Sequence, residues 1–329
     1  MAPLILLAVS ALGGIGLQKG VSGIKKRNLA IEIQSDTKDA LKNAEKMTES
    51  YRRETSEKVQ KLGKIKLEIM ATEIQEFVKY FSRIKSTELK ETDILSQLNI
   101  KNFSVESIKE LEQATLNAQD ILKEGATGIA AGVLLAYGTY GGIMTFGTAS
   151  TGTLISGLSG IAAKNATLAF LGGGSIASGG GGIALGQIVL GGLVVGPALL
   201  IVGSIFDAKA DTMLNTAKSN RALSNKMIEE LYTANVQILT IGEVIDLTQR
   251  TLLILNRFFK KSIYEMKKII KKEVIWEKMT FDDKKSIAET IKFAQIIKKI
   301  IDTPILDSNG GITKEVFELN KNIKKELTK

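Results

Sequence analysis

A chain of 329 residues with 44 Lys/Arg against 35 Asp/Glu carries a formal charge of +9, while its mean hydropathy stays slightly positive at +0.09. It contains neither cysteine nor histidine, which excludes disulfide frameworks, Cys-ligated zinc, histidine metal sites and every catalytic arrangement built on a histidine base. The expectation is a protein without enzymatic activity, metal or cofactor.

In chain order, residues 2–18 (APLILLAVSALGGIGLQ) are uncharged, and Lys19 and the Lys25-Lys26-Arg27 cluster follow them. A secretory signal places its positive charge before the apolar run. Segment 1–27 therefore reads as a membrane-associating or core-packed helix, with a marginal anchor or an odd signal as alternatives. If the run spans a bilayer, the basic cluster stays on the cytoplasmic side. From 28 to about 85, apolar residues recur in steps of three and four through Leu29, Ile33, Ala40, Ala44, Met47, Tyr51, Val59, Leu62, Ile65 and Ile69, with Thr37 and Thr55 admitted to the series. A narrow stripe on an otherwise charged helix is the pattern of a coiled-coil or bundle seam. It broadens after Met70 through Ile74, Phe77, Val78, Phe81 and Ile84, which predicts burial on more than one side. Residues 86–104 read as a polar connection. Ser104 reads as the N-cap of a further helix carrying Ile108, Leu111 and Leu116, so segment 28–124 is the first part of a helical stalk.

Segment 125–206 breaks the pattern. Its only charge is Lys164, and it holds 22 of the 31 glycines. Bilayer-spanning helices need about twenty predominantly apolar residues, and 125–147 and 183–206 each supply that length. Four glycine pairs are spaced four apart: Gly128 with Gly132, Gly138 with Gly142, Gly182 with Gly186, and Gly192 with Gly196. Each pair shares a helix face in the manner of a glycine zipper. Bare backbone there lets helices approach closely, the dominant packing device where lipid offers little hydrophobic drive. In water each mid-helix glycine costs about 1 kcal/mol relative to alanine. The middle, 148–182, is amphipathic, and Gly172, Gly173, Gly174, Gly179, Gly180 and Gly181 read as hinges. A phosphate-loop reading fails because no GxxxxGK[ST] occurs and no strand-forming run precedes the glycines.

Segment 207–329 resumes the stalk. A second long helix to about 278 carries Ile228, Leu231, Asn235, Ile238, Ile245, Leu252, Leu255, Phe259, Ile263, Met266, Ile270 and Val274 in the same rhythm. Phe281-Asp282-Asp283 reads as a break, with Asp282-Asp283 marking a helix start rather than a metal loop, 286–302 as a shorter helix ended by Thr303-Pro304, Asn309-Gly310-Gly311 as a turn, and 312–329 as a basic helix or tail. Trp276 reads as a packing or interfacial anchor. Residues 255–329 contain 18 Lys/Arg against 11 Asp/Glu. That surplus suits anionic lipid, or a solvated lysine-rich face. Nucleic acid is not an expected partner, because no aromatics interleave the basic residues.

The order of long helix, glycine-rich apolar segment and second long helix resembles α-helical pore-forming proteins of the cytolysin A type. It also resembles the apolipoprotein L family. The resemblance rests on 125–206 and its flanking stripes. It implies a hairpin that stays covered until the protein meets a membrane and then inserts, often with oligomerisation. The expected fold is all-α: a long antiparallel helical bundle or stalk with a glycine-rich hydrophobic helical hairpin as its head. The expected function is pore formation or membrane permeabilisation by a homo-oligomer. The alternatives are a membrane-anchored coiled-coil scaffold or sensor, or one component of a toxin that needs a second protein. The expected location is membrane-associated, soluble before insertion, and intracellular rather than secreted.

Overall fold

A computed structural model describes residues 23–85, 105–124, 134, 137–139, 210–306 and 311–327. The apolar run 2–18 and the connection 86–104 lie outside them, as do the expected hinges Gly172, Gly173, Gly174, Gly179, Gly180 and Gly181. Helix α1 is Gly23–Ile69, α2 Gln75–Phe81, α3 Val105–Glu124, α4 Ala210–Lys272, α5 Phe281–Asp302 and α6 Lys314–Leu327. A π turn, Met70–Ile74, joins α1 to α2, and one 3-10 turn, Trp276–Lys278, precedes α5. Among the described residues there is no strand, only two isolated bridges. The protein is all-α. Among the same residues, no helix is long and apolar enough to cross a membrane.

The chain divides into two compact units, and each long helix contributes to both. The first, Met1–Thr48 with Gly196–Thr233, has a small core of Ala30, Ile33, Met213, Leu214 and Ala217, edged by Leu29. Lys26 pairs with Asp211 at 2.6 Å. The buried face of α1 here is Ala30, Ile33, Thr37, Leu41, Ala44 and Thr48, in steps of three and four. Leu29, Ala40 and Met47, expected in the seam, flank it half-buried. Threonine enters because its hydroxyl bonds back one turn: Thr37 donates to the Ile33 carbonyl at 2.5 Å and Thr48 to that of Ala44 at 2.9 Å. Neither buried hydroxyl is left unsatisfied.

The second unit, Glu49–Val195 with Ala234–Lys329, holds the main core. Leu62, Leu67, Ile74 and Phe77 meet Ile245, Leu252, Phe259, Ile263 and Met266 of α4, with Ile287, Ile291, Ile297 and Ile301 of α5. The pairing of the long helices corrects the expectation of an antiparallel pair. Thr55 donates to the Ile238 carbonyl at 3.4 Å, and Lys58 bridges to Asp246 at 3.0 Å. Glu73 meets Lys260 at 2.7 Å, Glu76 pairs with Lys267, and Lys85 makes a parallel bridge with Ile275. Both helices advance together, so they run parallel. The physical reason lies in these charges. An apolar stripe is the same read either way, whereas the parallel register places Lys58, Lys260 and Lys267 on acidic partners across the pair.

Parallel pairing forces the chain to come back before α4 can start alongside α1. The return is visible in part. The Ala71 carbonyl, inside the π turn, accepts from Gln119 Nε2 of α3 at 3.2 Å, while Leu134 and Gly138 lie against Gly63 and Val59. Sequence numbers rise on one side as they fall on the other. The broad apolar face expected after Met70 is buried as expected, between α4 and α3. Helix α5 runs antiparallel to α4: Ser262 donates to Thr290 at 2.7 Å, and Phe258 stacks on Phe293. Its start differs from the sequence reading, because Thr280 and Asp283 form a capping box. The Phe281-Asp282-Asp283 stretch is thus a first turn rather than a break. Trp276 is a core residue, 3% exposed, whose amide donates to the Lys85 carbonyl at 2.9 Å.

The parallel register has a direct test in a chain free of cysteine. A Cβ built on Gly242 would lie 3.5 Å from Thr55 Oγ1, so a double variant carrying Thr55→Cys and Gly242→Cys should form an intramolecular disulfide on mild oxidation. A faster-migrating, reductant-sensitive band on a denaturing gel is the expected outcome; its absence would restore the antiparallel arrangement.

Candidate functional site

Of the eight glycines expected to pack membrane helices, the structure places Gly138, and it sits in a close backbone crossing with α1. The other seven, Gly128, Gly132, Gly142, Gly182, Gly186, Gly192 and Gly196, lie outside the described residues. Their pairing across a helix face therefore stays an expectation of the sequence. Gly138 is buried against α1. A Cβ added to it would lie 2.3 Å from the Val59 carbonyl oxygen, and one added to Gly63 would lie 2.0 Å from the Leu134 carbonyl oxygen. The two glycines are reciprocal, each facing the backbone of the other segment. No side chain fits at either point without the backbones parting, since no flexible group can move aside. Gly138 makes a close backbone approach, and its neighbour is a stalk helix.

Two further bonds hold the 137–139 segment. Lys66, fully buried on α1, donates from Nζ to the Gly138 carbonyl at 3.2 Å. The Ile305 amide donates to the Thr139 carbonyl at 2.6 Å, and the Ile305 carbonyl accepts from the Thr313 amide at 2.9 Å. The entry of the glycine-rich stretch is therefore clamped between α1 and the turn leaving α5. Tyr137, 2% exposed, fills the core beside it.

Lys66 is the unusual member. Burial pushes its amine down to about 7, against the ordinary 10.5, and the Asp302 carboxylate opposes that fall. Asp302 is itself ion-paired with Lys298 one turn back on α5. A neutral amine serves as a donor to a carbonyl without the cost of burying a charge. The site thus has three elements: a bare backbone crossing, a buried amine and a carbonyl clamp. Among the described residues no cluster could hold a metal ion.

Sequence reasoning missed Gly63 and Lys66, although both left a signal. Gly63 is a lone glycine in a strong helical pattern, which points to a close backbone approach. Lys66 falls between Leu62, Ile69 and Met70 on the apolar face. Lys58, at the α1–α4 contact, lies in the opposite regime: its hydrogen bond to Asp246 holds its ammonium above the usual range.

No family model matches this chain, and neither the curated proteins nor the solved structures contain a match to it.

The seat makes two predictions. Between about pH 7 and 10.5 the unfolded chain keeps a proton on Lys66 that the folded chain has released, so stability rises with pH across that window and carries the full burial penalty below it. Urea unfolding should show a slope of up to about 1.4 kcal/mol per pH unit from this group, and Lys66→Met should flatten it. Gly63→Ala should destabilise the fold by about 2 kcal/mol through overpacking, despite alanine's better helix propensity. An unchanged midpoint would show that the crossing is not tight.

Proposed function

We propose that this chain is a non-enzymatic, membrane-permeabilising protein that inserts segment 125–206 into a bilayer and acts as a homo-oligomer. The observation that carries the reading is the composition of that segment, in which Lys164 is the only charge and 22 of the chain's 31 glycines are concentrated. The spans are 125–147 and 183–206, folded as a helical hairpin whose glycine pairs pack against each other or against neighbouring protomers. The polar middle with its glycine hinges faces water.

Leu134 to Thr139 belong to the first of these spans and include the residues held by Gly63, Lys66 and Ile305. Insertion therefore begins with release from this seat. The stalk helices cover the segment before membrane contact, and the same glycine surface then changes what it packs against. The basic surplus of 255–329 favours an anionic bilayer.

A membrane-anchored coiled-coil scaffold is the second reading, favoured by the ion-paired parallel register of α1 and α4. There, segment 125–206 is a permanent anchor. Purified protein mixed with anionic liposomes carrying a trapped dye separates these cases. A permeabilising protein floats with the vesicles and releases dye, and Gly63→Ala, by loosening the seat, should release it several-fold faster. Flotation without leakage supports the scaffold, and leakage only on adding a second protein supports a two-component toxin. A monodisperse chain that neither floats nor leaks overturns all three.

A further inference from the structure

Helix α4 exposes an apolar stripe that no other described helix of the second unit matches. Val236, Leu239, Leu247, Ile254 and Phe258 are each between 41% and 64% exposed. Their spacing of three, eight, seven and four residues keeps them within one face of a helix, over about 33 Å. Glu243 and Arg250 interrupt the stripe, and both are exposed. Within the same unit, α1 exposes no large hydrophobic residue at all, so the feature is confined to one side of the helix pair.

The distribution of charge selects the occupant. Glu243 lies in the N-terminal half of the stripe, and Arg250 and Arg257 lie in the C-terminal half, both exposed. A second copy laid parallel and in register would set Glu243 against Glu243 and each arginine against itself, like charges meeting across a desolvating surface. Turned end for end about a point between Asp246 and Leu247, the same copy sets Glu243 against Arg250 twice and Leu239 against Ile254 twice, with the two Leu247 residues side by side at the centre. The stripe is self-complementary only in that orientation, the property of an isologous two-fold interface.

We propose that two copies of this chain pair antiparallel through this face of α4, centred between Asp246 and Leu247. The inference names a surface for the self-association in the proposed function, but it needs no bilayer and stands or falls without one. Pairing without leakage would overturn the permeabilising reading and leave this inference in place. Leakage from a chain whose α4 does not pair would do the reverse.

The full chain lacks cysteine, so single substitutions at exposed positions give a clean map with a short bismaleimide cross-linker. Leu247→Cys alone should yield a covalent dimer. Leu239→Cys mixed with Ile254→Cys should yield the mixed dimer, and Ile254→Cys alone should yield none. In sedimentation, Glu243→Arg and Arg250→Glu should each weaken the dimer by about tenfold or more in Kd, and the double exchange should restore it. Circular dichroism confirms that each variant stays folded. A monomeric wild-type chain, self-linking through Ile254→Cys, or no recovery in the double exchange would each overturn the proposal.

Discussion

The parallel pairing of α1 and α4 in the second unit is the constraint from which the rest follows. Two antiparallel helices can be joined by any short turn at one end. Two parallel ones cannot, because the chain must travel back the length of the paired region, about 45 Å between Lys85 and Thr55 at 1.5 Å per residue. Helix α3 and the 134–139 segment occupy part of that return. They make the broad apolar face of 70–84 a three-sided contact rather than a two-helix seam. At its entry the glycine-rich stretch is in contact with α1 through Leu134 and Gly138.

That entry explains the combination of groups at the seat. A helix carrying Val59 and Lys66 can accept a second backbone at touching distance only where both segments lack a side chain, and Gly63 and Gly138 meet that condition together. Close approach brings the Gly138 carbonyl within reach of an amine that has no route to water. In such a place an ammonium is costly and a neutral amine is tolerable. The geometry thus sets the protonation state, and a group that reads as a surface lysine in composition becomes a polar member of the core.

Much of the helical architecture was legible in the sequence. The three-four rhythm located α3 and α4 to within a few residues but ran α1, the π turn and α2 together as one helix to about 85, while 312–329, read as a helix or tail, holds α6. Threonine at 37, asparagine at 235 and the cluster from Ile74 to Ile84 all proved to be buried. Direction was not legible, because periodicity carries no arrow. It resides in pairs such as Lys58 with Asp246 and Glu76 with Lys267, more than 180 residues apart. The acidic pair Asp282-Asp283 marked a helix start, but α5 was begun at 286 rather than at Phe281, because Thr280 and Asp283 cap it only when read as a reciprocal pair. Gly138 was chosen for close packing by its spacing to Gly142. Its observed neighbour, Val59, came from a helix that spacing alone could not name.

The distance in sequence between paired partners also shapes how the chain is made. Partners on α1 or α2 and on α4 are separated by 183 to 191 residues. At about 5–20 residues per second on a ribosome, α1 waits roughly ten to forty seconds for its partner to be synthesised. The nearly uncharged segment 125–206 emerges during that interval, before α4 is made. A nascent chain in this condition holds a bare seam and a nearly uncharged glycine-rich stretch together, with only α3 and its own contacts for shelter. The order of synthesis thus leaves the α1 seam without its α4 partner until the last part of the chain has been made.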